Sequence, residues 1–424
     1  MASAGFDTSL AHARELDARD PLAHFRKRFF IPRGPDGAEA VYLCGHSLGL
    51  QPKSAGEYIA QELRDWAELG VEGHFHGKHP WVKYHHLLAE QTARLVGAKA
   101  SEVVVMNSLT VNLHLMMVSF YRPTKQRYKM VIEGSAFPSD QYAVKSQIAF
   151  HGFSPSDALI ELMPRKGENT IRQEDFELVI EREGNSIALI LLGGVNYSTG
   201  QAFDMKAITR AGHARGCVVG FDLAHAAGNV RLHLHDWDVD FAVWCSYKYL
   251  NGGPGCVGGC FVHERHASNS SLPRFAGWWG HDEQTRFKMG PEFQPMKGAD
   301  GWQLSNPSIV SMAALRASMD IFEEAGIEQL REKSVALTGH LESLLERCGS
   351  SGFEIITPRD ADQRGAQLSL RIAQGGRAVC DGLTREGVLC DWREPDILRV
   401  APVPLYNSYV DVHRFVEKFV AALG

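Results

Sequence analysis

The chain has 424 residues, 44% of them hydrophobic and 22% charged. That length exceeds what one simple core absorbs and suits a large domain with a smaller companion. A formal net charge of −6 provides no basic excess for a nucleic-acid partner, and no run of roughly 18 apolar residues is present to span a membrane.

Residues Met1 to Pro21 are rich in Ala, Arg, Asp and Glu, with no apolar stretch of the kind that directs secretion, so a cytoplasmic protein is expected. The eight cysteines form no Cys-x-x-Cys pair and read as free, mostly buried thiols. The segment up to about Leu50 has no obvious core of its own and is expected to pack on the C-terminal domain.

Val103–Met106 reads as a strand, Val111 to Tyr121 as a helix and Tyr128 to Ile132 as a strand. Ile187 to Leu192 is an apolar run of strand length, Met205 to Arg215 has helical periodicity, and Cys217 to Phe221 is a buried strand ending at Asp222. Phe241 to Cys245 is another strand. Continuous apolar strands alternating with helices predict a mainly parallel sheet covered on both faces. Beyond Asn306 the pattern changes. Ile309 to Glu324 and Gly326 to Arg347 predict long amphipathic helices, followed by short strands at Phe353 to Ile356, Ala366 to Ile372 and Ile397 to Val400. The expected class is α/β, with a large domain over 51–305, a smaller α+β domain over 306–424, and 1–50 packing with the latter.

The chemistry concentrates between Gly220 and Gly259. Asp222 ends one buried strand, and Tyr247 and Lys248 follow the end of another, ahead of Asn251-Gly252-Gly253. Pyridoxal phosphate (PLP) needs such a pair: a carboxylate to keep its pyridine nitrogen protonated and a lysine to form the imine. The carboxyl ends of parallel strands are where α/β sheets bind ligands. Met106-Asn107-Ser108-Leu109-Thr110 joins a strand to a helix, whose free N–H groups, with the Ser108 and Thr110 hydroxyls, suit a phosphate. A plain N-cap by Ser108 is the simpler alternative for that stretch taken alone. In Phe137-Pro138-Ser139-Asp140, an aromatic ring before a rigid turn suits stacking on a pyridine face.

These stretches, together with Tyr42 to Pro52, Asn107 to Leu115, Phe221 to Val230, Trp244 to Asn251, Arg286 to Met289, Ser305-Asn306-Pro307 and Arg399 to Ser408, resemble the kynureninase family from about residue 40 to 410. The resemblance implies the aspartate-aminotransferase fold and a homodimer with shared sites. It also implies PLP-dependent hydrolysis of kynurenine or 3-hydroxykynurenine to anthranilate or 3-hydroxyanthranilate plus L-alanine, in tryptophan catabolism and NAD synthesis. By the same resemblance Leu109, Thr110, Ser139 and Tyr247 hold the phosphate side, with Trp278 and Asn306 reaching across from a second subunit. Phe137 and Pro138 cover the ring, Asp222 pairs with its nitrogen, and Asp140 and His225 lie close by. Lys248, Tyr247 and Asp222 are the expected catalytic residues. Ser47, His74, Ser305, Asn306 and Arg399 are expected at the substrate, Arg399 because its planar fork suits a carboxylate. His74, Ser305 and Asn306 match members that prefer 3-hydroxykynurenine. The chain departs from the family at His46, where Asn is common, and at Gly193 and Ser198, where some members have Ser and Tyr.

The histidine-rich stretches, His74 to His86 and His233 to Asp240, show no His-Glu-x-x-His or comparable ligand spacing, so no metal is expected. Two rival functions remain at this stage. A cysteine desulfurase on the same fold needs a nucleophilic cysteine in a mobile loop, and none has an obvious setting. A metal-dependent hydrolase would need the histidine clusters.

Overall fold

The computed structural model describes residues 7–134, 136–267, 269 and 271–424. Seven strands form the large sheet: β1 (Val103–Met106), β2 (Lys129–Glu133), β3 (Leu159–Leu162), β4 (Ile187–Gly193), β5 (Val218–Asp222), β6 (Phe241–Cys245) and β7 (Gly258–Val262). Their order is β1-β7-β6-β5-β4-β2-β3, with β7 antiparallel to both neighbours and the other pairs parallel.

Successive side chains on a strand point to opposite faces. Val131, Ile190, Leu192, Val219, Phe221 and Trp244 therefore enter one buried cluster, while Met130, Ile132, Leu189, Leu191, Phe241 and Val243 enter another. Both faces are covered, which is why these strands read as unbroken apolar runs rather than alternating ones.

The expected strands and helices recur with ends shifted by one or two residues. Strands β3 and β7 were not legible. Gly258 and Gly259 weaken the strand signal of β7, yet they are required there: a Cβ on Gly259 would lie 2.1 Å from the Trp244 ring.

A second sheet of four antiparallel strands, β8 (Phe353–Ile355), β9 (Leu368–Ile372), β10 (Asp391–Arg393) and β11 (Ile397–Val400), is ordered β10-β11-β9-β8. It packs with the helices Ile327–Arg347 and Tyr409–Leu423 around a core that includes Leu337, Leu341, Leu370, Leu398, Phe415 and Phe419. The N-terminal segment packs on both cores: Leu22, Phe25, Phe29 and Leu50 enter that of the large sheet, and Val41 and Leu43 this one. Val41–Tyr42 pairs in parallel with Val388–Leu389, and Asp17 accepts the Tyr409 and Val410 amides at the start of the last helix.

The arrangement places Glu133, Gly193 and Asp222, the last residues of β2, β4 and β5, at one edge of the large sheet, with Gly193 and Asp222 directly in register. Among the described residues no helix is long and apolar enough to cross a membrane.

Candidate active site

At that edge lies a cavity of ≈ 260 Å³ lined by Leu109, Thr110, Glu133, Phe137, Ser139, Asp140, Gly193, Val195, Tyr197, Asp222, Ala224, His225, Tyr247 and Lys248. Each wall is set by a different local rule. Asp222 is carried by the end of β5, and its Oδ1 accepts the Ala224 amide at 2.7 Å, an Asx turn that ends the strand. Lys248 follows β6; its Nζ lies 3.0 Å from His225 Nε2 and 5.9 Å from the centres of the Phe137 and Tyr247 rings.

The helix Leu109–Phe120 opens onto the cavity, and Asn107 just ahead of it adopts φ +50°. The Ser108 side chain makes no capping bond, so the N-cap alternative is not realised and the first-turn amides are left to a ligand. The Thr110 and Ser139 hydroxyls lie 2.8 Å apart beside them. Pro138 starts the helix Pro138–Phe150, where its missing N–H costs nothing.

Burial raises the pKa of Asp222, against the Ala224 amide, the Lys248 charge and the bond from Asp140, which lower it; burial and then the Asp222 charge raise that of Asp140 well above its ordinary value. The two share a hydrogen bond. Of the two, Asp140 is held further above its ordinary pKa. His225 is buried and held neutral, first by desolvation and then by the Lys248 ammonium. Burial also pushes the Tyr247 phenol, which lies against the Cys245 thiol, well above its ordinary pKa. The phenol therefore keeps its proton and is available to donate a hydrogen bond.

PLP fits this donor set. Asp140 Oδ1 and His225 Nδ1 are buried without a partner among the described residues, and leaving buried polar atoms unmet is costly unless a ligand meets them.

Arg399, on β11, is buried. It donates to the Tyr197 carbonyl at 2.7 Å, to Asp391 Oδ2 at 2.7 Å and to Ser47 Oγ at 3.2 Å, and Ser47 donates in turn to Asp391. His46, buried with both ring nitrogens unpartnered, lies 3.9 Å from the same carboxylate. Asp391 and Glu133 were not singled out from sequence. A lone acid closing an apolar strand run, as at Ile132-Glu133, was the available signal.

The remaining expected residues stand apart from the Lys248 cavity. Ser305 and Asn306 line a separate cavity with Asn107 and Ser108. Trp278 packs edge-on against Phe287, which meets Phe75 beside His74. His74 itself stands edge-on to Trp81. The chain brings His85 and His86 together with Glu283 and Asp300, and Glu102 with His235 and His263. No cysteine lines the Lys248 cavity.

Comparison with known proteins follows the same outline. Residues 330–419 match the family model for the kynureninase C-terminal domain. A kynureninase from Koribacter versatilis is 72% identical over the full length of both chains, and one from Myxococcus xanthus is 62% identical over 97% of each. Among solved structures, a cysteine desulfurase from Thermococcus onnurineus NA1 superposes with a TM-score of 0.76 at 16% identity, covering 94% of this chain and 97% of its own. A C-DES mutant with glycine covalently linked to its PLP cofactor superposes with a TM-score of 0.77, covering 93% and 98%. The solved structures establish the fold, α/β of the PLP-enzyme type. The full-length sequence identities settle the lineage within it: the chain belongs to the kynureninase family.

Proposed function

We propose that Lys248, Asp222 and Tyr247 carry the kynureninase reaction in this chain and that 3-hydroxykynurenine is its preferred substrate. The reaction is PLP-dependent hydrolysis of kynurenine to anthranilate and L-alanine, a step of tryptophan catabolism. The observation that carries the residue roles is the sharing of one cavity by an amine, a buried pair of acids and an uncapped helix start.

PLP, when bound, supplies the imine-forming aldehyde and the protonated ring that accepts electron density. The amides at Leu109 and Thr110, with the Thr110, Ser139 and Tyr247 hydroxyls, would hold its phosphate. Asp222 would keep a proton on the ring nitrogen, and Asp140, His225 and Phe137 would line the ring's site. Arg399, held flat by Asp391, Ser47 and the Tyr197 carbonyl, takes the substrate carboxylate. Lys248 Nζ removes the proton from the substrate α-carbon, and the Tyr247 hydroxyl donates to oxygen during hydrolysis.

The preference for the hydroxylated substrate rests on His74, Ser305 and Asn306, which line the ring in similar family members. A ring hydroxyl entering an enclosed pocket without a partner loses about 1–3 kcal/mol. Polar pockets in turn discriminate against the analogue lacking the hydroxyl. These residues, with Trp278, stand outside the Lys248 cavity of their own chain, which supports a homodimer that completes each site from its second subunit. We keep the division at residues 50 and 305 and the cytoplasmic location as part of the same proposal.

The test is product analysis with both substrates and the ratio of their kcat/KM values. We expect 3-hydroxykynurenine to be favoured, and His74→Leu and Asn306→Leu to shrink the ratio. A ratio favouring kynurenine, or one that both exchanges leave unmoved, overturns the preference. A fully active monomer in sedimentation overturns the shared site.

A further inference from the structure

Glu133 takes no part in that chemistry, yet its carboxyl is buried in the wall of the same cavity. It closes β2 at the sheet edge where Asp222 closes β5. Its Oε2 accepts from Asn196 Nδ2 at 2.9 Å, and the backbone amide of Gly193 also bonds to it. A Cβ at Gly193 would stand 2.7 Å from Oε1, so the glycine that departs from the family pattern leaves the space the carboxyl fills.

Asn196 continues the connection. Its Oδ1 accepts the Ser198 and Thr199 amides, both at 2.9 Å, and the Thr199 hydroxyl at 3.1 Å, which fixes the turn through Gly200. That turn presents the Tyr197 carbonyl to Arg399 and the Ser198 carbonyl to Ser369 Oγ. One buried acid thus stands between the acids expected at the ring nitrogen and the arginine expected at the substrate carboxylate.

We propose that Glu133 is a positioning residue that ties the two ends of the site together, sharing the cavity wall with Asp222 and Asp140 on one side and holding, through Asn196, the turn that meets Arg399 on the other. The proposal rests on the roles given above to Asp222 and Arg399. Burial first, and then the Asp222 charge, raise the Glu133 pKa to about 7, against the bonds from Asn196 and Gly193. Asp140 faces the same group, and Lys248 acts on both aspartates. At neutral pH the carboxyl therefore stands between a neutral form and one that adds a further negative charge to the wall it shares with Asp222 and Asp140.

The test compares holoenzymes carrying Glu133→Ala, Glu133→Gln, Asn196→Ala and the Glu133→Ala/Asn196→Ala pair. Glu133→Ala should raise KM for kynurenine by roughly fivefold to tenfold through a loosened Arg399 turn. It should also weaken PLP retention on dilution. Asn196→Ala should raise KM alike, and the double variant should do no more than either single one, because both break one chain of contacts. Glu133→Gln, which keeps the shape and removes the titrating proton, should raise KM less and shift the inflection near pH 7 in the visible absorbance of bound PLP. Additive effects of the two alanine exchanges, or KM and PLP retention unmoved in Glu133→Ala, overturn the proposal. If Glu133→Ala does not fold, Asn196→Ala and Glu133→Gln decide: an unmoved KM in the first together with an unmoved absorbance profile in the second overturns it. Wild-type product analysis separates the two claims. Absence of anthranilate there sinks the reaction, whereas the PLP retention and absorbance profiles still decide the role of Glu133.

Discussion

Asp222 and Asp240 are buried acids on opposite edges of one sheet, the first closing β5 and the second just ahead of β6. Asp240 is fully answered by the chain. It accepts the Val219 amide at 2.7 Å, His213 and His266 ring nitrogens at 2.8 Å and Arg265 at 2.6 Å. Against the opposing cost of burial, these partners hold its pKa far below the carboxylate range. Asp222 has one backbone amide and a second acid for company, and its pKa rises. An acid whose positive partners lie within the fold is held ionised, whereas a buried acid left short of them has a raised pKa, the pattern expected of an acid kept for a ligand.

The sharpest way to break this contrast is at the chemical end. Lys248→Ala should remove turnover by at least roughly 10²–10⁴-fold, the usual value of a positioned proton carrier, with loss of the lysine-linked cofactor. Borohydride reduction and peptide mapping check this, and cofactor found on another lysine refutes the placement. Asp222→Asn should lose roughly 10²–10⁴-fold in kcat while PLP still binds, because a neutral amide cannot keep the ring nitrogen protonated. Near-normal kcat would show that Asp222 is not its partner.

At the structural end, Asp240→Asn should leave kcat largely intact and cost about 3 kcal/mol in urea unfolding, since the four groups that hydrogen-bond to it lose their buried anion. A smaller stability loss than that of Asp222→Asn would reverse the comparison. The smallest effect is a difference in pH slope. Asp240 has a depressed folded pKa, so its contribution is present above the unfolded value of 3.8 and lost as pH falls through the folded one. Glu133, raised to about 7, contributes in the opposite sense, from below its unfolded 4.5 and fading as pH rises through 7. Glu133 should therefore contribute a downward slope to the unfolding free energy from about pH 5 to 7, by no more than about 1.4 kcal/mol per unit, against the upward slope of buried neutral histidines such as His225. Exchange of Glu133 for Gln should flatten that slope, and an unchanged slope contradicts the raised value.

Much of the site is legible in the chain because the large sheet carries it. Asp222, Lys248 and the Asn107 to Thr110 junction all sit where an apolar strand ends, and an apolar run with an abrupt polar residue is visible in any sequence. What stays hidden depends on contacts between distant strands. Gly259 hides a strand because only the Trp244 ring explains it. Glu133 becomes informative only once β2 lies level with β5. Asp391 looks like one acid in a short polar run until Arg399, its neighbour across the β10–β11 pair, is seen to rest on it.

The pairing of Val41–Tyr42 with Val388–Leu389 has a consequence for how the protein is made. During synthesis at about 5–20 residues per second, the first strand waits on the order of 20–70 s for its partner to leave the ribosome. Leu43, buried in the C-terminal core of the finished protein, spends that interval without its final neighbours. Ser47 meets Asp391 and Arg399 only after the same event. The strands of the large sheet can thus be assembled while the nascent chain is still tethered, but the cluster of Ser47, Asp391 and Arg399 closes last.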